Sequence, residues 1–158
     1  MIRPAKTEDL PRILQVYECA RSFMCRAGNP TQWVDGYPQE DLLSHDIALQ
    51  RLYVVEENKQ ICAVFMLCAG PDPTYAIIEK GAWGKDVPYG VLHRVASNGS
   101  LRGVVSRCVA FAAGQYDYLR IDTHADNHPM QKALAREGFT YRGIITVYDG
   151  TPRLAYDR

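Results

Sequence analysis

Residues 93–115, HRVASNGSLRGVVSRCVAFAAGQ, carry the strongest structural signal in the chain. The first five residues alternate as a β-strand requires, and from Val104 onward apolar residues recur at the three- and four-residue spacing of a helix. Gly99 and Gly103 lie in the turn between them, where glycine allows a tight turn and close approach of a ligand. Free N–H groups in the first turn of a helix attract anions. The stretch therefore predicts a strand, an anion-binding turn and a helix.

The composition is typical of one globular domain spanning residues 1–158. The chain is 47% hydrophobic, and its 18 basic and 18 acidic residues leave no net charge. The balanced charge gives no reason to expect nucleic acid or a membrane surface as a partner. The N-terminus lacks the apolar core of a signal peptide, and the longest apolar run, residues 61–69, is too short to cross a bilayer. We therefore expect a cytoplasmic protein.

The cysteines and histidines favour neither disulfides nor a metal site. The five cysteines are an odd number and include no C-x-x-C pair. Cys108 lies on the apolar stripe of its helix, which predicts a core residue rather than a nucleophile. His124 and His128 are four residues apart but straddle the start of a predicted helix, so zinc is not expected there.

Upstream of the central stretch, the sequence predicts strands and two helices. A short strand at Ile2–Pro4 precedes an amphipathic helix with Thr7 as its N-cap. A second helix is expected over residues 38–51. Two β-rich runs at 52–56 and 60–69 then predict a hairpin.

Downstream, helices alternate with strands. Residues 75–79 are the hardest part of the chain to interpret, and a strand is one interpretation of them. A strand at 118–123 is followed by a helix capped by Asp126 or Asn127 and stopped by Gly138. The last two predicted strands form a hairpin over residues 141–148 and 153–156.

The predicted order is β-α-α-β-β-β-α-β-α-β-β. Tight turns join the early strands and helices join the later ones. We therefore expect an α/β (α+β) domain with a mixed, mostly antiparallel central sheet and helices on both faces.

This order and two motifs resemble the GNAT superfamily of acetyl-CoA-dependent acetyltransferases. The family's pyrophosphate loop has Gln or Arg, two residues, Gly, one residue, then Gly or Ala, and residues 100–105 here are SLRGVV. Gly103 matches, whereas Ser100 and Val105 depart from the pattern. Backbone N–H groups can still bind phosphate, but the side chain of Val105 is expected to crowd it.

The second motif is residues 119–127, LRIDTHADN, leading into a helix that ends at Gly138-Phe139. In the family, the asparagine corresponding to Asn127 contacts pantetheine, and the strand before it splays from the central strand to admit that arm. The resemblance thus implies splayed central strands and acetyl-CoA as cosubstrate. The residues it implies for cofactor binding are Val95, Ala96, Ser97, Ser100, Leu101, Arg102, Gly103, Val104, Val105 and Asn127.

The resemblance implies direct attack of an amine on the thioester, with a base to take the amine proton. His93 stands where many relatives place a catalytic carboxylate, and the two-residue spacing puts it on the same strand face as Val95. A histidine that is hydrogen-bonded within the sheet is the other interpretation. His124, Asp122 and Glu79 are the alternative proton relays.

Two further groups of residues leave their roles open. Arg120, Asp122 and His124 alternate on one strand face and are expected either to form a charged network or to act in catalysis. Gln32, Trp33 and Tyr37 lie in the loop that overhangs the acceptor in relatives, where they line a pocket or cover the core.

The usual thiolate acid of the family is absent from this sequence. Seven residues after Asn127, where relatives often carry a tyrosine, this chain has Leu134. Either another group such as Tyr141 or Tyr148 serves, or the thiolate leaves unprotonated.

The sequence thus predicts an acetyltransferase acting on an amine of a small molecule or a protein. One alternative is a GNAT-like module that binds acyl-CoA without turnover. The other is an α/β domain that binds a different phosphate ligand at residues 99–103. A homodimer is expected only because dimers are common in the family.

Overall fold

A seven-stranded sheet lies at the centre of the computed structural model, which describes residues 1–158. The strand order is β1-β2-β3-β4-β5-β7-β6. The strands are β1 (Ile2–Pro4), β2 (Leu52–Glu57), β3 (Gln60–Ala69), β4 (Gly90–Ser97), β5 (Leu119–Thr123), β6 (Thr140–Thr146) and β7 (Pro152–Asp157). The helices are α1 (Leu10–Arg26), α2 (Glu40–Ala48), α3 (Val104–Ala113) and α4 (His128–Arg136). The predicted element order and the mixed sheet are confirmed.

The helices cover both faces of the sheet because each presents one apolar stripe. On one face, α1 and α2 bury residues such as Tyr17 and Leu43 against β2 and β3. On the other face, α3 and α4 bury Cys108 and Leu134 against β3, β4 and β5. The segment between β3 and β4 completes the first face by burying Tyr75 over β4, β6 and β7.

The starts of the first two helices differ from the prediction. Thr7 is not the N-cap of α1 but lies in a short 3-10 turn, Thr7–Asp9, that precedes it. There the carboxylate of Asp9 accepts a hydrogen bond from the backbone N–H of Lys6 at 2.8 Å, so Asp9 and not Thr7 makes the side-chain hydrogen bond at this helix start. The second helix, predicted over 38–51, is shorter at both ends.

The strand considered for residues 75–79 does not form. Pro71 and Pro73 have no N–H to donate to a sheet, and Pro73–Tyr75 is a 3-10 turn that Asp72 caps by accepting from the Thr74 N–H at 2.8 Å. Only Glu79 pairs with the sheet, through a single bridge to Ile144. The turn brings Asp72 and Tyr75 onto the sheet face where the site lies.

β4 and β5 are the only parallel neighbours, and they soon separate. They pair at Gly90 with Leu119 and at Val91 with Arg120, and at no later residue. Beyond these pairs the two strands diverge, as expected for splayed central strands. The β5-facing edge of β4 is therefore unpaired over most of its length, which leaves main-chain groups free to bind a ligand.

A β-bulge at Arg94 changes the direction of the side chains along β4. His93 pairs with Met66 and Ala96 pairs with Val64, so that Arg94 and Val95 both lie opposite Phe65. Arg94 has a φ of 53°, in the left-handed region that side chains other than glycine rarely adopt.

The bulge reverses the prediction that His93 and Val95 share a face. His93 faces the α1 side with its partner Met66, whereas Val95 packs into the core under α3. The expectation was wrong because an inserted residue shifts the two-residue alternation by one.

Long-range contacts hold the bulge. The Tyr17 hydroxyl donates to the carbonyl oxygen of Arg94 at 2.8 Å, and the Arg94 guanidinium binds the fully buried carboxylate of Asp46 on α2. Arg51 donates to the same carboxylate at 2.7 Å. One buried aspartate therefore links α2 to both β4 and the start of β2.

Candidate active site

A continuous cleft of about 760 Å³ opens where β4 and β5 separate. It reaches both faces of the sheet. At one end it is lined by Val104 and Val105 at the start of α3, and at the other by Asp72, His93 and Asp122. A molecule in this cleft would touch the α3 helix and the histidine at the same time.

The start of α3 is built to attract an anion. Gly103 is the N-cap with a φ of 68°, and a Cβ placed there would meet no atom within 4 Å, so the space above the turn is open. The amides of residues 101–106 donate to no acceptor in the protein. Unpaired N–H groups together with the positive end of the helix dipole favour a phosphate at this point.

The cofactor-binding residues implied by the resemblance divide into two sets. Val95, Ala96, Ser97, Val104, Val105 and Asn127 line the cleft. Ser100, Leu101, Arg102 and Gly103 lie outside its lining, and both the N–H and the hydroxyl of Ser100 are bonded to the Asn98 side chain. Val105 is half-buried and packs against the core under α3, so part of its side chain is turned away from the open space.

His93 lies between two carboxylates from different parts of the chain: Asp72 comes from the segment between β3 and β4, and Asp122 comes from β5. Its Nε2 is 2.7 Å from Oδ2 of Asp72, and its Nδ1 is 3.6 Å from Oδ2 of Asp122. The first distance is a hydrogen bond and the second is too long for one. The Asp122 oxygen instead accepts from the hydroxyl of Tyr75 at 2.6 Å.

The charge state of Asp72 determines which nitrogen of His93 carries hydrogen. Burial would raise the pKa of Asp72, but hydrogen bonds from His93 and Thr74 outweigh it and hold this pKa at about 2. Asp72 is then an ionised carboxylate near neutral pH and can only accept, so Nε2 of His93 must donate to it. In the neutral ring, Nδ1 therefore keeps a lone pair that can accept a proton.

Tyr75 is held as a neutral hydroxyl. It is 1% exposed, and burial together with the neighbouring Asp122 raises its pKa well above the usual value. Its O–H donates to Asp122 and orients that carboxylate beside His93.

Arg120, Asp122 and His124 do not form one charged network. The Arg120 guanidinium lies between the rings of Trp83 and Tyr89, 4.3 and 4.0 Å from their centroids. His124 lies beyond the end of β5, with Nε2 3.3 Å from the Thr31 hydroxyl.

The proposed relays differ in position. Burial lowers the pKa of His124, and the positive charge of the nearby Arg153 lowers it further. Of these relays, only Asp122 lies beside His93, and Glu79 is exposed and outside the cleft lining.

The loop between α1 and α2 crosses the cleft. Trp33 and Tyr37 line it, with their ring centroids 6.4 Å apart, and Trp33 also packs edge-on against Tyr17. The Gln32 side-chain oxygen accepts from Nδ2 of Asn127 at 2.9 Å. The expected pantetheine contact, Asn127, is thus bonded to the loop while its Oδ1 caps α4 through the Met130 N–H.

Several candidates raised by the sequence lie outside the chemistry of this cleft. Burial raises the pKa of Cys108 to about 12, so its thiol is not a nucleophile. Leu134 is fully buried in the core, and Tyr141 packs on Tyr156 outside the cleft lining. Tyr148 does line the cleft and is 85% exposed.

The geometry brings together no group of three or more His, Cys, Asp or Glu side chains that could hold a metal ion. None of the helices is both long enough and apolar enough to span a membrane.

Sequence reasoning missed three residues of the cleft, Asp72, Thr123 and Arg153, and also Tyr75, whose hydroxyl bonds Asp122. Asp72 lies in a segment predicted only to break the sheet, and Tyr75 in one considered as a strand. Thr123 lines the cleft with a buried hydroxyl that has no hydrogen-bond partner. Arg153 is 6% exposed and lines the cleft from β7. No local pattern marks any of them, because each acquires its surroundings from a distant part of the chain.

Comparison with solved structures finds the same fold in acetyltransferases over the whole chain. An acetyltransferase of the GNAT family from Streptococcus agalactiae 2603 is 29% identical, with a TM-score of 0.87 over 100% of this chain and 94% of that one. A protein named as a candidate acetyltransferase from Staphylococcus aureus Mu50 is 25% identical, with a TM-score of 0.72 over 100% and 97%.

The NatB acetyltransferase complex bound to CoA and MES shares the fold at 13% identity, with a TM-score of 0.67 over 100% and 97% of the two chains. Comparison with protein-family models and with curated proteins gave no match.

Proposed function

Because the chain has the fold of the GNAT superfamily, we propose that it moves an acetyl group from acetyl-CoA to an amine by direct attack. The observation that carries the proposal is the continuous cleft of about 760 Å³, which joins the unpaired amides of α3 to His93 through the gap between β4 and β5. A two-substrate transfer without a covalent enzyme intermediate needs such a shared space, because both reactants must meet in it.

The residues at the α3 end fit a CoA molecule. The amides of residues 101–106 would hold the pyrophosphate, and the open space above Gly103 leaves room for it. The unpaired edge of β4 around Val95 would bind the pantetheine arm.

His93 is the proposed general base. The acetyl thioester supplies an electrophilic carbon: the amine nitrogen bonds to it, the carbon–sulfur bond breaks and CoA leaves as a thiolate. Nδ1 of His93 takes the proton that the amine loses, while ionised Asp72 holds Nε2–H and stabilises the resulting imidazolium. Asp72 and Asp122 also attract a cationic amine to this end of the cleft.

A matched pair of variants at Val105 tests the cofactor site. Val105→Glu places a negative charge in the first turn of α3, where it suits the helix dipole but repels a phosphate. We expect acetyl-CoA to bind about tenfold or more weakly to this variant than to Val105→Gln, which has the same size and no charge. Calorimetry measures both affinities, and thermal unfolding checks that both variants are folded.

The outcomes separate the proposal from its alternatives. Equal binding to the two variants, or no binding to the unmodified protein, would overturn the proposed function. Tight binding of acetyl-CoA with no thiol released in the presence of amine pools would indicate the CoA-binding module instead. Binding of nucleotides as tight as that of CoA would favour a general phosphate site.

A further inference from the structure

Arg153 is a buried cation without an anionic partner. The residue is 6% exposed, and its guanidinium donates only to neutral oxygens: the Thr151 hydroxyl at 2.8 Å, the Pro152 carbonyl at 2.9 Å and the Gln32 carbonyl at 3.2 Å. No carboxylate lies within salt-bridge distance. Burying a charge is costly unless an opposite charge accompanies it.

The other arginines of this sheet face, the buried Arg120 and the partly buried Arg94 and Arg51, are compensated differently. Arg94 and Arg51 share the carboxylate of Asp46. Arg120 also lacks a carboxylate, but it is stacked between the rings of Trp83 and Tyr89. Arg153 has neither kind of direct partner. The carboxylate of Asp149, at an exposed position, is linked to it only through the Thr151 hydroxyl, which accepts from Arg153 and donates to Asp149. Among these arginines, Arg153 is the one that lines the cleft without a carboxylate or a pair of rings in direct contact.

The free donors of Arg153 suit a carboxylate. A guanidinium has five N–H donors, and three are used here, two on Nη1 and one on Nη2. Nε–H and one Nη2–H remain, on atoms that form one edge of the planar group. Two such donors match the two oxygens of a carboxylate.

The position of Arg153 places it near the proposed base. Asp122 pairs with Ala155 on β7, and Arg153 lies two residues before Ala155 on the same face. Diagonal neighbours of this kind are about 7–8 Å apart. Since Asp122 is beside His93, a small molecule could reach Arg153 with one end and His93 with the other.

The remaining charges of the cleft argue against a larger anion. Asp35, Asp72, Asp122 and Asp149 also line it, while its two other arginines, Arg51 and Arg94, are already paired with Asp46. A doubly charged phosphate would be repelled by these carboxylates, whereas a molecule with an amino group and a single carboxylate meets an opposite charge at each end.

We propose that the acceptor is a small amine that also carries a carboxylate, and that Arg153 binds this carboxylate while the amino group lies at His93. The inference rests on the proposed acetyl transfer and adds the chemical class of the acceptor to it. Arg153 is then a specificity-determining residue that contacts the substrate.

The test compares acceptors that differ only in the carboxylate. Amino acids and their carboxamides are offered with acetyl-CoA, and thiol release gives kcat/KM for each pair. In the unmodified protein we expect the best amino acid to exceed its carboxamide by about 10- to 100-fold, the range for a hydrogen-bonded charge. Arg153→Gln should remove this preference by lowering kcat/KM for the amino acid alone, and Arg153→Lys should restore part of it. Arg12→Gln, at an exposed position on α1, is the control.

A purely structural role for Arg153 would give a different result. Because Arg153 also holds the Gln32 carbonyl, loss of that contact would displace the loop and lower turnover of both forms equally. Equal losses, or no preference for carboxylates in the unmodified protein, would overturn the inference.

Failure of the proposed acetyl transfer gives a different result from failure of the inference about Arg153. It would appear as no acetyl-CoA binding or no thiol release with any amine. In that case, calorimetry with N-acetyl amino acids and their carboxamides on the protein without added CoA still tests Arg153. Equal binding of the two, or none, would overturn the inference.

Discussion

Main-chain groups form one end of the cleft, and side chains form the other. At the α3 end, the main-chain N–H groups of residues 101–106 are unpaired, and two of these residues, Val104 and Val105, line the cleft. At the other end, side chains of Asp72, His93, Asp122 and Arg153 meet from four separate segments. The first kind of site depends on local backbone geometry, while the second depends on the whole sheet being assembled.

This contrast between main-chain and side-chain groups indicates which end of the cleft tolerates changes in sequence. Main-chain donors persist when side chains change, which explains how the α3 turn keeps its free amides despite Ser100 and Val105. A side-chain site changes with single substitutions, so we expect the proposed chemistry and acceptor choice to depend on the residues at the His93 end.

The largest expected effect separates the two ends directly. His93→Ala should lower kcat/KM by about 10²- to 10⁴-fold because the base that accepts the amine proton is lost. The affinity for acetyl-CoA should stay within about twofold, since the α3 amides are untouched. Stopped-flow or steady-state thiol release and calorimetry measure the two quantities. His45→Ala, an exposed histidine on α2, is the control, and comparable activity of the two variants would show that His93 is a structural residue of the sheet.

The second prediction concerns the bulge that turns His93 and Val95 to opposite faces. Asp46→Ala leaves Arg94 and Arg51 without their shared carboxylate, and we expect the free energy of unfolding to fall by about 3–5 kcal/mol. Urea unfolding measures the loss. Asp41→Ala, at an exposed position on the same helix, should cost less than about 1 kcal/mol. A loss for Asp46→Ala no larger than that of the control would mean that this ion cluster does not hold the bulge.

The smallest predicted effect concerns acid stability at the His93 end. The pKa of Asp72 is about 2 in the folded protein, below its ordinary value of 3.8, so its ionised form stabilises the fold. This contribution is complete above about pH 4 and is lost as the pH falls through about 2. Because the group is partly solvated, we expect on the order of 1 kcal/mol.

The measurement compares urea unfolding of the unmodified protein and Asp72→Asn between about pH 6 and pH 2. The variant should be less stable near neutral pH, and the difference should vanish at the acid end. Asp117→Asn, an exposed position, should show no such convergence. A constant difference across the range would contradict a depressed pKa at Asp72.

Local sequence patterns were sufficient to predict the element order and the turn with unpaired amides before α3. Periodicity marked the helices, glycines marked the turn before α3, and an anion site at a helix start needs only these local features. The arrangement of side chains at the His93 end became visible only in the folded structure. The bulge at Arg94 results from contacts with Tyr17 and Asp46, and it turned His93 to the face opposite Val95. The roles proposed for Asp72 beside His93 and for Arg153 as a carboxylate-binding residue depend on neighbours far along the chain. Spacing in a sequence reports which residues share a local face, whereas pairing across a sheet and the charge left unmatched in a cleft exist only once distant segments have packed together.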